Sequence, residues 1–517
     1  MNKSQKILWV DDEIDSLKPH VLFLEKKGYT LKTAISGDDA IALVAKEQFD
    51  LILLDEMMPG KDGLTTLEEI KDISPHLPVV MVTKSEEESL MEDALGQKID
   101  DYLVKPVNPT QILMVIKRQL DSKKIISSSS MKRYISDINR FNQKLYGALE
   151  PNDWLDAAQT LAEWNLEVDE NQDEGIAEML EGTHKEWNTE FTKYIEKNYT
   201  GWLKSDDRPM LSNDIVSNYV VPEMKKDKKV LFVVVDCMRL DQWMLIEPLI
   251  AEFYNIQRHS YFSLLPTATP FARNAIFSGL FPDDIHRMYP ETYNESDEGS
   301  LNRYEEKFIK ENLARNGVRT ERPPKYIKIN VNTEGEVLYK KVSDLFGTPL
   351  VSIVFNFLDI LVHGRSNNVI LKEIAGTEAA FRGLMKSWFI HSSLFSILKA
   401  FAAEDYTIVI TSDHGSTLCK RGTKAHGKKS TSTNLRYKYG DNLKSDPKDS
   451  ILIKNPNDWR LPKLGLATTY IIAKEDYYFV YPNKYNEMVR HFHNSFQHGG
   501  LSLEEMVVPV SVLTPKK

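Results

Sequence analysis

Asp236, Asp359, His363, Asp413, His414 and His498 are scattered through the C-terminal part of a 517-residue chain. Carboxylates and imidazoles together are the ligand set expected for Zn²⁺ or Mn²⁺. Asp413 and His414 are adjacent, so they can serve one ion or two neighbouring ones, and Asp359 and His363 stand one helical turn apart on one face. The supply suffices for two ions, and a pair about 4 Å apart clamps the attacking and leaving oxygens of a phosphoryl displacement. Such a reaction also needs a nucleophile. The segment Leu265-Pro266-Thr267-Ala268-Thr269-Pro270-Phe271-Ala272-Arg273-Asn274 supplies hydroxyls at a turn before a helix, where the helix N-terminus favours an anion. Thr269, just ahead of a first-turn Pro270, is the first choice and Thr267 the second. Arg273 or Asn274, one turn on, is expected to meet non-bridging phosphate oxygens.

A second constellation lies near the N-terminus. Asp11 and Asp12, Asp55, Thr83 and Lys105 each follow a short apolar run. Three clustered carboxylates repel one another unless a cation such as Mg²⁺, which prefers hard oxygen ligands, lies among them. Asp55 then becomes a nucleophile toward a phosphoryl group. Lys105 offers a cation for its oxygens and Thr83 a hydroxyl, with Tyr102 as the aromatic that responds.

These side chains need elements to hold them. Ile7–Val10, Leu31–Ala34, Leu51–Leu54, Val79–Val82 and Tyr102–Val104 alternate with amphipathic segments as five βα units, the last helix covering Pro109–Leu120 and the fourth Glu86–Gly96. Strands of this kind form a doubly covered parallel sheet of flavodoxin-like type whose functional residues gather at the strand ends. The polar run Asp121 to Ser130 reads as a hinge or a helix start. Apolar residues then recur at helical spacing (Met131, Tyr134, Ile135, Ile138, Phe141, Leu145; Trp154, Leu155, Ala158, Leu161, Trp164; Leu180, Trp187, Phe191, Tyr194, Ile195) and predict a helical bundle with its tryptophans in the core. From Lys228 the α/β pattern returns, with strands at Val230–Val235, Val351–Phe357 and Thr407–Thr411. The domain boundaries expected are therefore 1–122, 123–204 and 205–517.

Composition bounds the rest. Hydrophobic residues make up 42% and charged residues 27%, as in folded globular chains. The net charge of −10 supplies no global basic field for duplex DNA. Two cysteines, Cys237 and Cys419, are too few for a disulfide framework and fit a reducing compartment. With no apolar leader and no long apolar run, a cytoplasmic location without membrane insertion is expected. The stretch from Lys420 to Lys444, with Arg421, Lys424, Lys428, Lys429, Arg436 and Lys438 among Tyr437 and Tyr439, reads either as a solvated loop or as a lid suited to nucleotides.

Leu53-Leu54-Asp55-Glu56-Met57-Met58-Pro59-Gly60-Lys61-Asp62-Gly63 closely resembles the receiver signature of response regulators, a likeness covering residues 4–122; Lys84 stands where that family usually has a small residue. The order Asp236, Thr269, Asp359, His363, Asp413-His414, His498 resembles the alkaline phosphatase superfamily. Pro266-Thr267-Ala268-Thr269-Pro270 with Arg273-Asn274-Ala275, and His498-Gly499-Gly500-Leu501-Ser502-Leu503-Glu504-Glu505-Met506, resemble motifs of its PglZ branch over about residues 205–515. That resemblance implies one zinc on Asp359, His363 and His498 and a second on Asp236, Asp413 and His414, with Thr269 bridging or adjacent. Receiver, helices and PglZ domain in series resemble the PorX-type response regulators. This implies phosphorylation by a sensor histidine kinase, a zinc-dependent phosphodiesterase acting on cyclic or linear oligonucleotides, control of type IX secretion, and a phosphorylation-dependent homodimer. Two other outputs fit the same residues: a module binding transcription machinery such as a sigma factor, and a phosphomonoesterase.

Overall fold

A computed structural model describes residues 5–83, 101–107, 109–145, 147–293, 302–367, 373–427 and 434–516. The chain forms two compact units, Met1–Ile135 and Ser136–Lys517. Among the described residues no helix is long and apolar enough to cross a membrane.

In the first unit, β1 (Lys6–Val10), β2 (Thr30–Ala34), β3 (Leu51–Asp55), β4 (Val79–Thr83) and β5 (Asp101–Val104) form a parallel sheet in the order β2-β1-β3-β4-β5. Every residue of β3 and β4 is buried, because side chains pointing either way meet a helix layer. One layer packs Leu8, Val10, Ile52, Leu54 and Met81 against Leu67 and Ile70, and the other packs Trp9, Leu53 and Val80 against Leu24, Ile112 and Ile116. The helix expected at Glu86–Gly96, and Lys84, lie outside the described residues.

The run Asp121 to Ser130, expected as a hinge or a helix start, lies inside a helix. This helix runs from Pro109 to Leu145, through all four serines at 127–130. Serine costs only about 0.5 kcal/mol relative to alanine in a helix, and no glycine or proline interrupts the segment. Tyr134, Ile138 and Phe141 are buried, as are Trp154, Trp164 and Trp187 on the helices Pro151–Asn171 and Glu174–Trp202. The tryptophans are core. Phe141 lies 4.3 Å from Trp187 and 5.2 Å from Trp154, ring centre to ring centre.

Beyond the helices stand β6 (Lys229–Val235), β7 (Tyr254–Phe262), β8 (Lys325–Ile329), β9 (Leu350–Phe355) and β10 (Tyr406–Thr411). They are followed by β11 (Thr417–Cys419), β12 (Arg421–Lys424), β13 (Tyr437–Asp441), β14 (Ser450–Ile453), β15 (Thr468–Ala473), β16 (Tyr477–Val480), β17 (Ser495–Gln497) and β18 (Val507–Pro515). The main sheet has the order β7-β18-β10-β6-β9-β8. Its centre, β10-β6-β9-β8, is parallel, so the carboxyl ends of four strands open on one edge, where ligands of open α/β sheets bind. Strand β9 ends at Phe355, and Phe357 already belongs to the helix Phe357–Asn367.

Candidate functional site

Three strand ends of the first unit converge on one acidic centre. Lys105 Nζ lies 2.9 Å from both Asp11 Oδ2 and Asp55 Oδ2. Asp11, Asp12 and Asp55 each offer a ligand atom within 4.8 Å of the others. Burial pushes the Asp55 carboxyl above its usual range, against Lys105 and with the charge of Asp11 adding to the rise. A divalent cation would offset that crowding. Thr83 is buried at the end of β4, where its carbonyl accepts from Lys105 N–H at 2.7 Å. The Tyr102 side chain lies outside the described residues.

In the second unit two ligand groups form, Asp359 with His363 and His498, and Asp236 with Asp413 and His414, the ligand atoms of each within 4.8 Å of one another. Asp236 directly follows β6, and Asp413 follows β10 after one intervening residue. Asp359 is in the first turn of the helix after β9, and His498 follows β17. His363 Nε2 and His498 Nε2 face each other at 3.0 Å and lie 3.3 Å and 3.1 Å from Asp359 Oδ1. Two imidazole nitrogens and a carboxylate oxygen this close, with Asp359 Oδ1 buried and accepting no aligned hydrogen bond, fit a shared cation. Burial opposes ionisation of Asp359, but the two imidazoles prevail and hold it well below the usual carboxylate range.

The other group fits equally well. Asp413 Oδ2 is buried without a hydrogen-bond donor, and burial with Asp236 alongside pushes its carboxyl well up. His414 Nδ1 faces the Gly415 carbonyl at 3.0 Å, which fixes the N–H there and turns the Nε2 lone pair toward Asp236 and Thr269. Burial also lowers this imidazole's pKa, against the pull of Asp236, and a neutral ring is what a metal requires. The His414 and His498 rings stack with centres 4.3 Å apart, bringing the two groups together. Thr269 Oγ1 lies 3.2 Å from His414 Nε2 and 3.5 Å from Asp236 Oδ1. Thr267 is fully buried and donates to the Gly500 carbonyl at 2.6 Å, so of the two threonines Thr269 alone faces the ligands.

Three expectations need correction. Arg273 is turned inward with 1% exposure, its Nη1 2.5 Å from Asp236 Oδ2 and 3.1 Å from Asn356 Oδ1, and its Nε 2.6 Å from Glu305 Oε1. It braces a ligand and does not reach for phosphate. Asn274 is fully buried, its amide donating to the Pro270 carbonyl at 2.9 Å. Within the Lys420–Lys444 stretch, read as a solvated loop or a lid, Lys420 and Lys424 are exposed but several other cations are taken up by structure. Arg436 is fully buried in a two-pronged pair with Glu505, at 3.1 Å and 2.5 Å, Lys438 is buried, and Arg421 pairs with Glu475 at 2.6 Å. Lys428 and Lys429 lie outside the described residues.

Several supporting residues were not anticipated. Glu505 also accepts from Gly500 N–H and the Ser502 hydroxyl, each at 2.8 Å. Tyr437 packs where a Cβ on Gly499 would sit, and Gly499 has φ +107°, a conformation that favours glycine. Glu305, Asn356 and the pair Arg436–Glu505 left no trace in spacing, because the partners stand 32, 83 and 69 residues apart in the chain.

The site and fold define a two-component response regulator with an alkaline-phosphatase-like output domain. Residues 7–117 match the response regulator receiver domain, 124–203 the PorX response regulator linker domain, and 215–513 the BREX system PglZ alkaline phosphatase-like domain. The chain belongs to the PglZ family, in the PorX-type arrangement of receiver, linker and PglZ domain. It is similar to the transcriptional regulatory protein ResD of Bacillus subtilis, 37% identical over 22% of this chain and 48% of that protein. It is also similar to the regulatory protein VanRc of Enterococcus gallinarum, 36% identical over 23% of this chain and 50% of that one. The chain thus spans about half the length of these curated relatives. A CheY-like receiver domain protein from Methanospirillum hungatei is similar at 34% identity, over 23% of this chain and 96% of that one, with a TM-score of 0.22.

Proposed function

We propose that Asp55 is phosphorylated by a sensor histidine kinase and thereby governs a zinc-dependent phosphodiesterase acting on cyclic or linear oligonucleotides. The observation that carries this reading is Thr269 Oγ1 at 3.2 Å from His414 Nε2 and 3.5 Å from Asp236 Oδ1, beside two groups of ligands. Asp359, His363 and His498 would hold one zinc and Asp236, Asp413 and His414 the other; when bound, the ions neutralise charge on the attacking and leaving oxygens. Asp236 Oδ1 accepts from the Thr269 hydroxyl and orients it. The N-terminus of the helix Thr269–Ser278 favours the phosphate anion. A bond forms from Oγ1 to phosphorus while the bond to the leaving oxygen breaks, the threonine proton ending on that oxygen; water then cleaves the threonine ester, its hydroxyl going to phosphorus and its proton back to Oγ1. In the receiver, Asp11, Asp12 and Asp55 would hold Mg²⁺, Asp55 takes the phosphoryl group, and Lys105 pairs with its oxygens. The PorX-type arrangement supports a role in type IX secretion.

The test is turnover of bis-p-nitrophenyl phosphate and of an oligonucleotide panel with zinc, with and without acetyl phosphate. Thr269→Ala should lose at least about 10³-fold in kcat, and acetyl phosphate should change the wild-type rate but not that of Asp55→Asn. Equal turnover by wild type and Thr269→Ala would sink the assignment. Faster turnover of p-nitrophenyl phosphate than of any diester would replace it with a monoesterase.

A further inference from the structure

The segment from His498 to Met506 carries one candidate ligand and meets both the turn before Thr269 and the Asp413–Gly415 turn. Gly500 accepts from Thr267, two residues before Thr269, and Gly499-Gly500 leads directly from His498. At its other end the short helix Leu503–Met506 backs the Asp413–Gly415 turn: Glu505 O accepts from Gly415 N–H at 2.9 Å, and the Glu504 carbonyl lies where a Cβ on Gly415 would have to go. His414 in turn is oriented by the Gly415 carbonyl. A shift of this helix would therefore move ligands of both groups and the nucleophile's own segment.

A helix of only four residues cannot hold itself in place. Its outer support comes from the linker. His184 and Asn188, four residues apart on one face of the helix Glu174–Trp202, both meet Glu504. His184 Nδ1 lies 2.9 Å from Glu504 Oε1 while its Nε2 meets Asn165 Oδ1 at 3.1 Å. Asn188 Nδ2 reaches both Glu504 carboxylate oxygens at 3.1 Å, and Asn188 Oδ1 accepts from Leu503 N–H at 2.8 Å. Burial opposes the Glu504 charge, but His184 and Arg239 outweigh it and keep the carboxyl below its usual range, so this is a charged and fully engaged contact.

We propose that His184 and Asn188 are positioning residues for the output site, acting through Glu504 and Leu503 on the loops that carry His414, His498 and Thr269. This makes the linker part of the machinery, and it rests on the reading of those loops as zinc-bearing. Direct partners of metal ligands typically change affinity by about 10- to 100-fold when lost, and for residues that act through Glu504 and Leu503 the upper figure is a ceiling.

The test uses the full chain and zinc ion, titrated against a chromophoric chelator. Asparagine at 184 keeps an amide nitrogen near the place of Nδ1, whereas glutamine keeps one near Nε2. His184→Asn should retain zinc within about threefold of wild type, while His184→Gln and Asn188→Ala should weaken retention about 10- to 100-fold. Amide exchange at 498–506 and 413–415 should accelerate in the same two variants, with the melting temperature of the zinc-free protein shifting alike in both His184 variants. Retention falling equally in His184→Asn and His184→Gln would overturn the proposal, since packing alone does that. Wild-type retention in His184→Gln and Asn188→Ala would overturn it as well. A wild-type protein that holds no zinc would instead remove the metal reading on which it stands.

Discussion

The Arg273 guanidinium is surrounded by Asp236, Glu305 and Asn356, with Asp413 Oδ2 a further 3.9 Å away and almost no water in reach. Breaking a buried pair by removing one partner typically costs about 3–5 kcal/mol, because the surviving charge is left uncompensated. Two carboxylates would survive here. Arg273→Met should therefore lose about 3–5 kcal/mol in urea unfolding, and zinc should restore part of that loss by neutralising Asp236. A loss under about 1 kcal/mol would show that the charge is not sealed in. The same residue marks a limit of reading the sequence. Thr269 and Arg273, one turn apart, do share the face toward Asp236, but spacing could not show that Asp236 and Glu305 would occupy the guanidinium. The helix Thr269–Ser278 is buried from Pro270 through Ser278, and a helix without a polar stripe does not reveal which side looks outward. Asp236 and Asp413 were legible as candidates because each stands at the carboxyl end of a strand of the parallel sheet, whereas His363, inside the helix Phe357–Asn367, and His498, after β17 of a separate two-stranded sheet, were suggested only by spacing and family resemblance.

At the scale of elements, periodicity identified the linker helices but not which apolar residues matter. Tyr134, Ile135 and Ile138 look alike in the pattern, yet Ile135 is 43% exposed while Tyr134 and Ile138 are 1% and 8% exposed. Trp187 is fully buried, its indole N–H donating to Asn142 Oδ1 at 2.8 Å and its ring against Phe141. Trp187→Ala should cost about 3–5 kcal/mol. Ile135→Ala should cost under about 1 kcal/mol. Urea unfolding followed by circular dichroism measures both, and equal losses would mean that the bundle tolerates a cavity at Trp187. The serine run left a hinge and a helix start both open for a related reason: helix propensity differences there are small beside the packing of Tyr134, Ile138 and Phe141. Arg436, just before β13, and Lys438 within it show the converse, since charged residues there read as surface until the pairing with Glu505 and the β13–β15 pair bury them.

At the scale of the whole molecule, the receiver and the output domain have separate hydrophobic cores and separate metal-ligand groups. A chain built from such units is not expected to unfold in a single two-state step. Each ion would stabilise only the unit that binds it, by about 2.7 kcal/mol at 100 times its dissociation constant, or roughly 8–15 °C for a domain of receiver size. Calorimetry of the full chain should therefore show two transitions. Mg²⁺ should raise one of them, an effect lost when Asp11 and Asp12 are both replaced by Asn, and zinc should raise the other, an effect lost in His498→Ala. A single transition moved by both ions would mean that the Pro109–Leu145 helix, which runs through the boundary between the units, joins them into one cooperative block. Two transitions with these separate responses would mean that phosphorylation of Asp55 must act by changing contacts or assembly, because the stability of one core would not be felt by the other.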